Sequence, residues 1–182
     1  LLNITNPENI ATSKNSFTYR VEATGENVGG IVGASTKGLI DLSIKGAYIS
    51  GGNNTGGITG RIAQIVPSNK LTVGDTDYPV YVKGGDHVAG IGSTMEDSVS
   101  SMAEITELTV QNAYITGNGY TAGVVSPNTW WLNMRKCMLD NSYVTGAKDR
   151  TGGIASYAAN VTTSLVRNST ISGTSYVGGI LG

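Results

Sequence analysis

The chain of 182 residues is poor in the side chains from which most reactive sites are built: it has one Cys, one His and one Phe, and charged residues make up only 14% of it. A single Cys closes no internal disulfide. A single His, with no second His or Cys at ligand spacing, reads as a surface His rather than a metal ligand. Lys and Arg number 12 against 13 Asp and Glu, so the chain is almost neutral. Phosphate binding needs a basic face, so this balance argues against nucleic acid as a partner. No apolar run approaches the roughly 18–20 residues of a membrane span, and no HExxH metalloprotease motif occurs.

Glycine is abundant, at 26 residues, and it is periodic. Six segments align: VEATGENVGGIVG from Val21, AYISGGNNTGGITG from Ala47, VYVKGGDHVAGIGS from Val80, AYITGNGYTAGVVS from Ala113, SYVTGAKDRTGGIAS from Ser142 and STISGTSYVGGILG from Ser169. The second residue of each small-Gly pair serves as a marker: Gly30, Gly57, Gly90, Gly123, Gly153 and Gly179. Successive markers lie 27, 33, 33, 30 and 26 residues apart. A period in this range signals stacked supersecondary units rather than one globular core. Apolar residues alternate with period two inside each unit, so the unit is built of strands.

The columns of the alignment assign the faces. Ile31, Ile58, Ile91, Val124, Ile154 and Ile180 are always aliphatic and are expected inside. Flanking them at two residues are small columns, Gly29, Gly56, Ala89, Ala122, Gly152 and Gly178 before, and Gly33, Gly60, Ser93, Ser126, Ser156 and Gly182 after. Residues two apart share a strand face, so the marker glycines between them are expected to point outward, with positive φ, a bulge or close backbone approach. A second strand carries an inward column of Ala23, Ile49, Val82, Ile115, Val144 and Ile171. A third carries Leu42 and Ile44, Leu71 and Val73, Leu108 and Val110, Cys137 and Leu139, Ser164 and Val166. Cys137 therefore belongs in the core as a small hydrophobe. Asn112, Asn141 and Asn168 share one corner, where stacked amides are expected to bond along the axis.

Three short strands per unit predict an all-β fold: a right-handed parallel β-helix of about six coils of roughly 26–33 residues. Residues 1–182 form a single solenoid domain. Residues 1–20 read as a degenerate coil or partial cap. The last unit, GGILG, has no polar cap after it, and solenoids need one, so the segment is expected to belong to a longer polypeptide.

Candidate sites are few. In Ala47-Tyr48-Ile49 and its counterparts, Tyr48, Tyr81, Tyr114 and Tyr143 lie between inward residues. Alternation puts the rings outside in one ladder, which either stacks structurally or serves as a contact strip. Glu22 precedes the column and Thr170 continues it. Longer loops at 60–70, 92–103 and 126–134 leave the same corner, and one of them carries Trp130 and Trp131, which either cover core or touch a sugar or a protein. Gly74-Asp75-Thr76-Asp77-Tyr78-Pro79 is a separate insertion. Asp75, Asp77, Asp86 and His87 are the only local acid cluster. Glycan hydrolysis needs two carboxyl groups across the bond, and these stand in turns, where Asp satisfies backbone. Two carboxylates in one loop fall short of the 6–8 oxygens of a calcium site. No catalytic residue, metal or cofactor is assigned. Paired ranks of Thr for ice binding are interrupted at Lys83.

The segments SYVTG…TGGIAS, AYITG…TAGVVS and VGGIVG resemble the GLUG repeat of bacterial surface and secreted proteins, among them IgA-peptidase precursors and filamentous-haemagglutinin-like adhesins. The resemblance spans about six units, nearly the whole chain. It implies a β-solenoid on an exported protein, extracellular or at the cell surface, and it brings no catalytic residues, because in the peptidases these repeats lie outside the protease domain. The function it implies is a non-catalytic adhesive scaffold or stalk. The alternative is a module that binds a host glycan or surface protein, and a lyase or hydrolase is a weaker reading.

Overall fold

The computed structural model describes residues 17–62, 68–95, 103–127, 132–158 and 160–182. They form an all-β solenoid of stacked parallel strands, with no helix among them. On the first face lie six strands, Tyr19–Glu22, Ala47–Ser50, Val80–Lys83, Ala113–Gly117, Tyr143–Gly146 and Thr170–Ser172. Each pairs in parallel with the one a coil away, so five turns separate the first from the last. The second face holds six two-residue strands, from Val28–Gly29 to Val177–Gly178. The third face runs through Ile40–Ile44, Ser68–Val73 and Ala103–Gln111, after which each coil contributes two short pieces.

The core follows the aliphatic columns. Ile49, Val82, Ile115 and Val144 stack on the first face, and Leu71, Leu108 and Cys137 on the third, all at most 1% exposed. Ile58, Ile91, Val124 and Ile154 form the buried column expected of them. Ile31 and Ile180, in the same column on the outermost rungs, are 43% and 37% exposed.

Four details differ from the sequence expectation. In the first rung Val21, not Ala23, pairs with Ile49, and Arg20, not Glu22, precedes Tyr48. The loop after this strand is one residue longer than in most coils, and a slip of two residues preserves the face of every side chain.

The marker glycines do not point outward. A Cβ on Gly57 would lie 3.2 Å from Val73 Cγ2, and one on Gly90 would lie 2.9 Å from Val110 Cγ2, both core side chains of the third face. Each such Cβ would also strike the carbonyl oxygen of the next coil's marker. The chain bends at Gly57 and Ile58, which breaks the alternation and lets both face inward. Of the three reasons for Gly, close backbone approach is the operative one, since the positive-φ glycines among the described residues are Gly46 and Gly74.

The strand carrying the markers is not continuous. It splits into a pair such as Thr55–Gly56 and a second piece such as Thr59–Ile62. The Ser column after it is buried, but against backbone: Ser93 Oγ donates to Gly60 O, and Ser126 Oγ donates to Tyr120 O at 2.7 Å and bonds Ser156 Oγ at 3.0 Å.

Asn112, Asn141 and Asn168 share a corner as expected, yet they form no amide ladder there. Their φ values are +51°, +45° and +50°, so the corner selects Asn for its tolerance of the left-handed region. The Asn112 amide donates instead to Asp75 O and Thr76 O, and that of Asn168 to Asp140 Oδ1. An axial amide bond does occur at another corner, where Asn54 Nδ2 donates to Asn27 Oδ1 at 3.1 Å.

Candidate functional site: the side-chain ladders

Each ladder tyrosine is held by its own strand. Ala47 and Ile49 on either side of Tyr48 are fully buried in the main core, whereas Tyr48, Tyr81 and Tyr114 form a second cluster with Phe17 and Tyr143. The rings thus stand outside the apolar core, as alternation requires. They are nevertheless covered: Tyr48, Tyr81 and Tyr114 are only 2%, 7% and 6% exposed, and Tyr143 is half-buried.

Tyr48 stacks on Tyr81 at 5.0 Å between centroids with planes 6° apart, and Tyr114 on Tyr143 at 5.1 Å and 8°. Phe17 tilts against Tyr48 at 5.9 Å, and the Arg20 guanidinium lies 5.5 Å from the Tyr48 centroid. Nearly parallel rings separated by about one rung spend their faces on one another. Burial pushes the Tyr81 and Tyr114 phenols above the ordinary range, and the neighbouring Tyr48 and Tyr143 add to it; a hydrogen bond with Thr116 opposes the shift at Tyr81.

A second ladder escaped the sequence reading. The residues before each two-residue strand of the second face, Asn27, Asn54, His87, Tyr120, Arg150 and Tyr176, stand in one column. His87 stacks on Tyr120 at 4.8 Å and 5°. The Arg150 guanidinium lies 5.0 Å from Tyr157 and 4.9 Å from Tyr176. The signal was present in the alignment, as the position just before TGG, TAG, VAG or VGG, but its mixed chemistry hid it. Asn27, Asn54, His87 and Tyr176 have positive φ there.

His87, expected at the surface, stands there within this column and is held by it. It is half-buried, its Nδ1 is enclosed without a partner, and burial lowers its pKa against the opposing pull of Asp86 and of the Ser126 backbone. The neutral ring is the form that fits.

The remaining candidates separate in space. Asp75 and Asp86 stand beyond opposite ends of the strand Val80–Lys83. Asp75 is spent on its own turn, accepting from Asp77 N at 3.0 Å and Tyr78 N at 2.7 Å. Among the described residues no three His, Cys, Asp or Glu gather as metal ligands would. Trp130 and Trp131 lie outside the described residues. Cys137 is buried, and burial pushes its thiol up to about 11, so at neutral pH it is protonated.

Two ionic features were also missed. Asp140 is 4% exposed and receives Arg167 Nη2 at 2.8 Å, and that bond, with Asn168 adding to it, holds the carboxyl low. Asp41, Lys70, Glu107, Lys136 and Thr163 form a column of left-handed residues whose charges alternate, with Lys136 Nζ 3.3 Å from Glu107 Oε1. No known family, curated protein or solved structure matches this chain.

Proposed function

We propose that this chain is a rigid, non-catalytic scaffold segment of a GLUG-like bacterial surface or secreted protein, one that carries adhesive elements on its corners. The observation that supports this most is the way its distinctive side chains are used. Tyrosines, serines, asparagines and charges all bond or stack between rungs, which stiffens the solenoid axis. Repeat proteins of this kind gain stability from nearest-neighbour interfaces, and the bonds and stacked rings between rungs add to those interfaces. The buried tyrosines favour a structural ladder over a contact strip, because a ligand reaching them would meet ring edges rather than faces. The alternative of a glycan- or host-protein-binding module then falls to the corners and loops, including Trp130 and Trp131.

Two measurements test the scaffold reading. Pulled along its axis in single-molecule force spectroscopy, the chain should extend in coil-sized steps rather than as one soft tether. Incubated with a panel of polysaccharides, it should release neither reducing ends nor unsaturated products. Turnover that disappears in an Asp77→Asn or Asp86→Asn variant would overturn the proposal.

A further inference from the structure

The insertion 74–79 has no counterpart in the other aligned units. It interrupts the path between the strands Ser68–Val73 and Val80–Lys83, both of which pair normally with their neighbours. Yet it is firmly built. Asp75 Oδ1 accepts from the Asp77 and Tyr78 backbone N–H groups, and Asp75 Oδ2 pairs with Lys45 Nζ at 3.1 Å. Asn112, one coil on, donates its amide to Asp75 O and Thr76 O at 3.1 and 3.3 Å. Gly74 has φ +73°, and a Cβ there would collide with Gln111 O, so only Gly fits.

What this turn presents is Tyr78, 49% exposed. Its ring packs beside Gly46, where a Cβ would lie 3.7 Å from Tyr78 Cδ1, and Lys45 Nζ sits over the ring 4.9 Å from its centroid. Unlike the ladder tyrosines, it has no aromatic neighbour stacked on it among the described residues. Thr76 and Asp77 are exposed beside it. The Lys45 charge is engaged by Asp75, while Asp77 has no cation within ion-pair distance among the described residues.

We propose that Tyr78, with Asp77 and Thr76, is a binding platform for one pyranose unit of a neutral glycan. The reasoning is chemical. An aromatic ring fixed on a rigid corner offers amphipathic contact area with little entropy left to lose. The unpaired Asp77 carboxylate accepts hydrogen bonds from sugar hydroxyls, and the Thr76 hydroxyl, which already accepts from Gln111 Nε2 at 3.5 Å, keeps its proton and a second lone pair for another. The same carboxylate repels a uronate or sulfate, so the site selects against anionic glycans. Calcium has no role in it, because Lys45 and two backbone N–H groups already occupy the Asp75 oxygens. The inference rests on the reading of this solenoid as an adhesive scaffold and gives that scaffold one defined contact.

The test is a titration of the whole chain with neutral xylo-, cello- and chito-oligosaccharides, with oligogalacturonate as the anionic control. At least one neutral oligosaccharide should bind. Tyr78→Ala should weaken it by roughly tenfold or more, and Tyr78→Phe should leave it within about threefold. EDTA should change nothing, and the melting temperature of each variant should match that of the parent. The proposal is overturned if no neutral oligosaccharide binds, if oligogalacturonate binds better, if EDTA abolishes binding, or if Tyr78→Ala binds as the parent does. A variant that loses melting temperature together with affinity would reassign Tyr78 to structure. Any of these failures leaves the stepwise extension of the scaffold untouched, so the two readings fail separately.

Discussion

Coils with a described coil on each side and coils with one on a single side carry the same repeat, yet they bury it to different degrees. Ile91 is 1% exposed and Ile31 is 43% exposed, although both occupy the same column and Ile31 N–H bonds the coil beside it. The glycines show it more sharply. A Cβ on Gly90 would enter the Gly123 carbonyl, whereas a Cβ on Gly179 would meet nothing within 4 Å. In a solenoid a residue's burial is conferred by the coils on either side, not by its own sequence. A column position therefore predicts a face, and only its place along the axis predicts an energy.

The largest expected effect comes from testing the glycines. Gly90→Ala places a methyl against backbone that cannot move without parting two coils. It should cost about 3 kcal/mol or more, the upper range of overpacking. Gly179→Ala should stay within about 0.5 kcal/mol. Denaturant melts of the two variants check this directly, and equal losses would show that the approach of neighbouring coils is not what demands Gly.

Next in size is the aliphatic column. Ile91→Ala should cost about 2–5 kcal/mol as a buried truncation. Ile31→Ala should cost less than about 1.5 kcal/mol, because nearly half of that side chain stays in water. Similar losses at both sites would mean that the outer coils are covered in solution.

The ladder tyrosines come third. Tyr114→Ala should lower the melting temperature, having removed a covered ring stacked on Tyr143, and should leave glycan binding at Tyr78 intact. The same ladder has a pH signature. Tyr81 and Tyr114 ionise at higher pH folded than unfolded, so stability is complete below the ordinary phenol value of about 10 and falls as pH rises past it. His87 works at the other end. Its folded pKa is lowered, so its contribution is present above about 6.5 and is lost on acidification. Melting temperatures across pH should show both shoulders, the alkaline one missing in a Tyr81→Phe/Tyr114→Phe variant and the acidic one missing in His87→Asn.

Much of this was readable from the residues, for a physical reason. Period-two alternation fixes faces, so the columns of Ile49, Leu71, Ile91 and Cys137 follow from the residues alone. The expectation failed where alternation itself is broken. At Gly57 and Ile58 the chain bends, and two consecutive residues turn inward. At the corners, backbone conformation chooses the residue, so Asn, His and Tyr share a column on account of position rather than chemistry. The second ladder was hidden for that reason. The Tyr78 platform was visible only as an interruption of the repeat, because nothing local announces that Asn112 and Lys45, from neighbouring coils, hold it.

The smallest effect is expected at the alternating charges, and it completes the contrast between shared and private neighbours. Glu107 and Lys136 are half in water, with side chains 42% and 49% exposed, and they meet only because their coils stack. A double-mutant cycle on Glu107→Gln and Lys136→Gln should return a coupling of about 0.2–1 kcal/mol. It should fade as ionic strength rises, since water reaches both groups. Exchanging the two charges, Glu107→Lys with Lys136→Glu, tests the column as a whole. That exchange preserves the Glu107–Lys136 pair but sets like charges against Lys70 on the next coil. If the alternation over Asp41, Lys70, Glu107 and Lys136 helps hold register, the exchanged chain should be less stable than the parent at low salt and equal to it at high salt. Equal stability at both would reduce the column to independent surface pairs, leaving register to the glycines and the aliphatic core.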